Sequence, residues 1–395
     1  MSLQSQFNSI SFEERTYVEE ILSTSTTIKG PIVIQLVGLP GSGKSTVARA
    51  LYWLLNNAGH NPRWLNQDEA DSNRKKYLDA IKTATSDLST THIILDKSNL
   101  DPSNRKDYED LGLNIALTVN YSHPDGYASY MAVCKERFMS RGACHRSLRT
   151  SDIGEKQFKT ICAVMFAKYV APSGNILNVN VCEPAATVVS LISVALGIEE
   201  PDCNGAIQFA QEYERSIATI SKRPLLCSIK PVRILNEREA NPTIGEIMPE
   251  IIFNKSARSP TTLIQNERWS KPGEPIDILL EAIPKRALIG KHLRKDFHIT
   301  TCYFGEEMNP IWYMKHIKLI ESDRPSYFTI TEIVWDNKAI TARVKGDFEC
   351  TNAHPHITLA LAPKIKPSYS NDMLNSQDVE KIYVEIPMTG KYIFS

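Results

Sequence analysis

The sequence predicts two folded parts in series, an α/β domain built on a parallel sheet with helices on both faces, followed by an α+β domain. Three observations lead there. Between residues 31 and 198 apolar strand-like runs alternate with amphipathic stretches, the pattern of a parallel sheet with right-handed crossovers. Beyond Pro224 the texture changes to short strands with Pro-rich turns and few long helices. The length, 395 residues, exceeds one ordinary domain.

The elements follow in order. Residues 1–30 are polar and Ser/Thr-rich around one short helical patch, Phe12 to Leu22, and read as an N-terminal arm. Ile32 to Val37 is a continuous apolar run, as a parallel strand covered on both faces requires. Lys44 to Asn57 reads as a helix, Arg63 to Asn66 as a short strand ending at Gln67-Asp68, and Ala70 to Asp87 as a second helix. His92 to Asp96 and Ile115 to Tyr121 are strands; Tyr127 to Arg141 and Gly154 to Tyr169 are helical. Ile176 to Val181 and Ala185 to Leu196 supply the last strand and helix of a domain spanning 31–198. Residues 199–223 are polar and read as a linker helix, leaving 224–395 to the second domain.

Composition sets bounds. Forty-five basic and 45 acidic side chains cancel, and the halves on either side of residue 200 are each near balance, at 20 against 21 and 25 against 24. Nucleic-acid binding must therefore come from local patches. The eight cysteines (134, 144, 162, 182, 203, 227, 302 and 350) form no CxxC pair, which argues against a zinc ribbon and a disulfide framework. Glu13, Glu14, Glu19 and Glu20 stand where a signal peptide wants positive charge, and the most apolar stretch, Ala185 to Ile198, is too short to span a bilayer. The expectation is an intracellular, reduced protein, cytoplasmic or nuclear, with no membrane partner.

Gly38-Leu39-Pro40-Gly41-Ser42-Gly43-Lys44-Ser45 fits GxxxxGK[ST] between an apolar strand and a helix. Gly38, Gly41 and Gly43 let backbone N–H groups turn inward around phosphate with Ser42 and Thr46 nearby, and the helix dipole adds to the field. Lys44 reaches the β/γ-phosphates of a nucleotide, and the Ser45 hydroxyl is the candidate Mg²⁺ ligand. Transfer to an alcohol also needs a base near the γ-phosphate. Asp68, at the carboxyl end of the second strand, is the candidate, the alternative being a cap for the following helix. For Asp96 two readings stay open, the Mg²⁺ shell or a loop cap. Lys135 to Arg149 carries Lys135, Arg137, Arg141, Arg146 and Arg149 against the single Glu136, which reads as a lid over phosphates, with Arg137 and Arg141 on the nucleotide.

In the second half, His298-Ile299-Thr300 and His356-Ile357-Thr358 stand 58 positions apart. Roughly half an HxT is expected by chance here, so the pair matters only through its setting. Both Phe297 to Thr300 and His356 to Leu361 read as strands, where period 2 puts His and Thr on one face and Ile on the other. Paired side by side they would gather two imidazoles and two hydroxyls around one phosphate. One neutral histidine would take a proton from water, the other would give one to the leaving oxygen, and the threonines would hold the non-bridging oxygens, without a metal.

GLPGSGKST, NQD, ILDKSN with Arg105, and RFMSRGACHRS together resemble the 5′-OH polynucleotide kinase module of fungal-type tRNA ligases. The stretch CTNAHPHITLALAPKIKPSYSNDML resembles the cyclic phosphodiesterase of the same family, and the HxT pair resembles the two-histidine (2H) phosphoesterase signature. The resemblance covers most of 31–395. It implies an α/β P-loop kinase domain followed by an α+β two-histidine phosphoesterase domain, ATP or GTP as phosphate donor with Mg²⁺, and RNA with 5′-OH and 2′,3′-cyclic phosphate ends, such as tRNA halves. It makes Arg74, Arg105 and Arg146 candidate RNA-binding residues. Two departures stand out: Cys144-His145-Arg146 replaces an Asn-His-Gln run, and Asp71 stands where phage-type relatives carry an arginine. No KxxxG ligase motif with its supporting lysines is evident, so a separate or fused ligase is expected to join the ends. His354 shares the face of the second motif with no role assigned. The vertebrate myelin cyclic-nucleotide phosphodiesterases also place a P-loop domain before a 2H domain, and in that alternative the first domain only binds. A scaffold with dead sites is the third reading, opposed by intact Lys44, Ser45 and both HxT motifs.

Overall fold

In a computed structural model the described residues are 30–70, 72–219, 224, 226–235, 279, 281–304 and 308–394. The helical patch expected at Phe12 to Leu22 lies outside them. Two compact units result, one running to Arg223 together with Glu306–Met314, the other Pro224–Gly305 and Lys315–Ser395.

The first unit is built on a five-stranded parallel sheet in the order β2-β3-β1-β4-β5. Its strands are β1 (Ile32–Val37), β2 (Pro62–Asn66), β3 (His92–Asp96), β4 (Ile115–Ser122) and β5 (Ile176–Asn180). Val33, Ile34, Leu36 and Val37 are all buried, and so is the one polar residue among them, Gln35, which matches a strand covered on both faces. The crossovers are α1 (Lys44–Asn57), α2 (Arg74–Ser86), α3 (Pro102–Asp110), α4 (Tyr127–Arg141), α5 (Glu155–Phe166) and α6 (Ala185–Ala195). After β1 the chain crosses toward β2, and after β3 it crosses the other way toward β4. The adjacent carboxyl ends of β1 and β3 thus flank the crevice where open α/β sheets bind ligands.

Two differences from the sequence reading have local causes. Helix α2 starts at Arg74 rather than Ala70, because the Asn73 side chain caps it by accepting from the Lys76 N–H at 3.1 Å. Helix α3 was not expected, since PSNRKDYED shows no apolar stripe and buries only Tyr108. It forms on end signals instead: the Asp101 carboxylate caps the Ser103 N–H at 2.9 Å and Pro102 occupies the first turn. The stretch read as a linker forms α7 (Cys203–Thr219), which packs on α1 and buries Ala206, Ala210, Tyr213 and Ile217 at helical spacing.

The second unit contains β6 (Leu226–Ile234), β7 (His292–Leu293), β8 (Ile299–Tyr303), α8 (Pro310–Glu321) from Lys315 on, β9 (Ser326–Trp335), β10 (Ala339–Gly346), β11 (His356–Leu361), α9 (Tyr369–Asn375) and β12 (Glu380–Phe394). The sheet order is β10-β9-β12-β6-β8-β11-β7, and β10 also pairs with β11, so six antiparallel strands close on themselves. Ile229, Ile299, Ile330, Ile333, Ala342, Ile357 and Ile386 meet in one apolar core. Among the described residues no helix is long and apolar enough to cross a membrane.

Candidate active sites

The phosphate loop of the first unit joins β1 to α1. Gly41 and Gly43 have φ of 84° and 97°, where a side chain is strained. A Cβ on Gly38 would meet the Tyr130 hydroxyl at 2.7 Å, and one on Gly41 would strike the Cys134 carbonyl. Helix α4 thus backs the loop closely, and Tyr130 accepts the Leu39 N–H at 2.9 Å. Lys44 is buried, donating to the Leu39 carbonyl at 2.7 Å and to Ser42 Oγ at 3.2 Å. Burial pushes its pKa down and the Asp96 carboxylate partly offsets this, so the ammonium stands as a poorly solvated charge ready for an anion. Thr46, in the first turn of α1, is half-buried.

Asp96 ends β3 and ties the crevice together. Its Oδ1 accepts from Ser45 Oγ at 3.1 Å, and its Oδ2 accepts from Trp64 Nε1 at 3.1 Å and Asn66 Nδ2 at 2.6 Å. The Asn66 side-chain oxygen Oδ1 in turn accepts the Asp68 N–H at 2.7 Å and fixes the turn that presents Asp68. Burial raises the pKa of the Asp68 carboxyl; the charges of Asp96 and Glu69 add to this, while hydrogen bonds from Ser147 and Ser72 oppose it. A half-buried carboxylate with a raised pKa, within electrostatic reach of Asp96 and Arg141, fits a proton acceptor.

The arginines divide. Arg141 lies close enough to Asp68 and Lys44 to interact with both charges, and burial lowers its pKa. Arg137 braces the loop, donating to the Ser42 carbonyl at 3.0 Å and the Val181 carbonyl at 2.8 Å. The three arginines read as RNA ligands are engaged elsewhere. Arg74 pairs with Asp107 at an exposed position. Arg105 donates to the carbonyls of Asn99, Leu100 and Val170, clamping a loop. Arg146 is buried against Glu69 at 3.2 Å, and Tyr213 also donates to Glu69. A sequence shows positive charge but not whether a buried carboxylate already neutralises it.

His145 was noted only as a departure, yet it stands beside Asp68. Its Nδ1 accepts the N–H groups of Ser147 at 3.2 Å and Leu148 at 3.0 Å, so the ring proton sits on Nε2, 3.8 Å from Asp68 Oδ2. Burial and then the surrounding cations Arg141, Arg49, Lys44 and Arg149 push its pKa well down and keep it neutral.

In the second unit β8 and β11 are antiparallel neighbours with Ile299 opposite Ile357, both in the core. That register sets His356 across from Thr300 and Thr358 across from His298, on the face away from the core. His298 falls just before β8 rather than within it, a correction to the expected strand that leaves the alternation intact. The two imidazoles are near enough for each charge to be felt by the other. His356 donates from Nδ1 to the His354 carbonyl at 2.7 Å, which leaves Nε2 as the free acceptor. Burial lowers its pKa, with the His354 carbonyl bond opposing. Nδ1 of His298 lies 3.4 Å from the Asp296 carboxylate.

Around these lie residues that no motif marks. Arg343 of β10 is in register with His356, bonds His354 Nδ1 at 3.1 Å and pairs with Glu332 at 3.1 Å. Thr358 Oγ1 lies 2.9 Å from the fully buried Ser370 hydroxyl. Among the described residues no group of three or more His, Cys, Asp or Glu side chains is placed to hold a metal ion.

Comparison with known proteins gives residues 32–174 as a match to the tRNA ligase kinase domain and residues 288–388 as a match to the fungal tRNA ligase phosphodiesterase domain. No curated protein matches the chain. Similar solved structures include a fungal RNA kinase, 13% identical, covering 93% of this chain and 98% of its own at a TM-score of 0.36. A sugar kinase from Janibacter is 17% identical over 43% of this chain and 96% of its own, with a TM-score of 0.30. An APS kinase from Mycobacterium tuberculosis is 15% identical over 43% and 99%, also at 0.30. The chain thus carries, in series, the kinase domain and the phosphodiesterase domain of the fungal tRNA ligase family.

Proposed function

We propose that the chain heals RNA ends: the first unit phosphorylates a 5′-OH with an NTP, and the second hydrolyses a 2′,3′-cyclic phosphate to a 2′-phosphate, preparing tRNA halves for a ligase. The observation that carries the kinase half is the convergence of Lys44, Ser45 and Asp96 at the β1/β3 crevice with Asp68 beside them. The 5′-hydroxyl gives its proton to Asp68 as its oxygen attacks the γ-phosphorus, the bond from that phosphorus to the β,γ-bridging oxygen breaks and NDP leaves, while Lys44 and Arg141 neutralise the phosphoryl oxygens. Ser45 and Asp96 offer hard oxygen donors 3.1 Å apart, which suits Mg²⁺; bound there, the ion supplies charge neutralisation across the phosphates.

In the second unit the neutral His356 takes a proton from water on Nε2, and the water oxygen bonds to phosphorus. His298, with Nδ1 facing the Asp296 carboxylate, takes the acid role and gives a proton to O3′ as the P–O3′ bond breaks. Thr300 and Thr358 donate to the non-bridging oxygens.

The test is incubation with labelled 5′-OH RNA and each NTP in turn, and with RNA ending in a 2′,3′-cyclic phosphate. Transfer to the 5′ end and a 2′-phosphate product support the reading; a 3′-phosphate product or absence of transfer overturns the corresponding half.

A further inference from the structure

The second HxT motif is backed by a chain of hydroxyls that the first lacks. Thr341 of β10 is in register with Thr358 of β11, so their side chains lie on one face. Ser370, in the first turn of α9, sits between them: its Oγ accepts from Thr341 Oγ1 at 3.0 Å and lies 2.9 Å from Thr358 Oγ1. Thr341 and Ser370 are both wholly buried. Helix α9 holds the serine firmly, because Met373 and Leu374 pack on Val334, Ala339 and Leu361, and Tyr369 donates to Asp336 at 2.6 Å.

The proton count fixes the direction of the chain. A hydroxyl has one proton to donate and can accept two. Ser370 receives the Thr341 proton, so its own proton needs an acceptor inside the protein, and the oxygen within reach is Thr358 Oγ1. With its lone pair occupied, Thr358 keeps its proton free to point outward from the half-buried face it shares with the histidines. Among the described residues the Thr300 hydroxyl has no hydrogen-bond partner and no such backing.

We propose that Ser370, fed by Thr341, is a positioning residue that orients the Thr358 O–H onto a non-bridging oxygen of the cyclic phosphate. The inference rests on the reading of the second unit as a phosphodiesterase using both threonines. A donor aimed in advance loses no rotor freedom when charge builds on the phosphate, which is the advantage of a preorganised site.

The experiment is a double-mutant cycle in the full chain, with adenosine 2′,3′-cyclic phosphate as the probe. Ser370→Ala is expected to lower kcat/KM about tenfold, and less than about twofold when Thr358 is already alanine. Thr341→Val keeps the shape, removes the far donor and is expected to cost about threefold, again only in the presence of Thr358. It also serves as the test if Ser370→Ala does not fold. Thr358→Ser retains the hydroxyl and is expected to retain most activity. The relay is overturned if Ser370→Ala is fully active, or if either variant costs the same factor with and without the Thr358 hydroxyl. Full activity of Thr358→Ala would overturn the reading of the site itself, and the relay with it. A loss in Thr358→Ala without any loss in Ser370→Ala sinks the relay alone.

Discussion

Replacing Asp68 by asparagine keeps the shape of the side chain and removes its capacity to take a proton. If Asp68 is the base of the kinase, phosphate transfer falls by about 10²–10⁴. At about 1.36 kcal/mol per tenfold change this is roughly 2.7–5.5 kcal/mol of transition-state stabilisation. The raised pKa adds two further consequences. Phosphate transfer in the wild type loses rate on the acid side at a pH above the ordinary aspartate value of 3.8, because the base must be ionised. The second consequence concerns stability. Between 3.8 and the raised value the folded state binds more protons at Asp68 than the unfolded state, so stability falls as pH rises through that window. Above it the ionised group is a net burden on the fold, and Asp68→Asn relieves it. The variant is therefore expected to be nearly inactive as a kinase yet to melt at an equal or higher temperature at neutral pH. The assay is transfer of labelled γ-phosphate to 5′-OH RNA, with cyclic-phosphate opening as an internal control and thermal unfolding in parallel. Retention of more than about a tenth of the wild-type rate, or a lowered melting temperature at neutral pH, would refute the reasoning.

Lys44→Ala should abolish transfer while leaving cyclic-phosphate opening nearly intact; a parallel loss of both activities would mean that the units do not work separately. His298→Ala and His356→Ala should each remove cyclic-phosphate opening, whose rate falls on both sides of a bell because one imidazole must be neutral and the other charged. EDTA should stop the kinase and spare this activity; loss of cyclic-phosphate opening in EDTA would count against the two-histidine mechanism. Arg146→Ala strands the Glu69 carboxylate in a buried position and should cost about 3–5 kcal/mol in unfolding free energy, much of it recovered by pairing Arg146→Met with Glu69→Leu. A raised KM for RNA in Arg146→Ala at unchanged stability would return Arg146 to the substrate.

What could be read from the sequence was local. GLPGSGKS announces its own turn because glycine alone tolerates those dihedrals, and the alternation His-Ile-Thr tells which way each side chain points once a strand is granted. Helix α3 escaped because its stability comes from a capping carboxylate and a proline, not from an apolar stripe. Arg105 and Arg146 read in the sequence as bare positive charge for a related reason: their partners in the fold, three carbonyls and Glu69, stand up to 77 residues away. His145, Asn66 and Ser370 fall inside stretches that carry the family resemblance, yet their letters assign them no role. Each matters through the one oxygen or carboxylate it reaches, which only the folded chain supplies.

The pairing of β8 with β11 has a consequence for how the two proton roles come to differ. Antiparallel strands in register at Ile299 and Ile357 relate their neighbours by a local two-fold axis, so the backbone treats the HxT motifs as equivalents. Hydrolysis cannot use equivalents, since one imidazole must give what the other takes. The asymmetry is written around the motifs: a carboxylate, Asp296, beside one ring, and a backbone carbonyl, that of His354, against the other. A carbonyl fixes a tautomer without adding a full charge, whereas a carboxylate sets a full charge beside the ring. The backbone symmetry of the two motifs is thus broken from two positions upstream of each histidine, by a side chain in one case and by the main chain in the other.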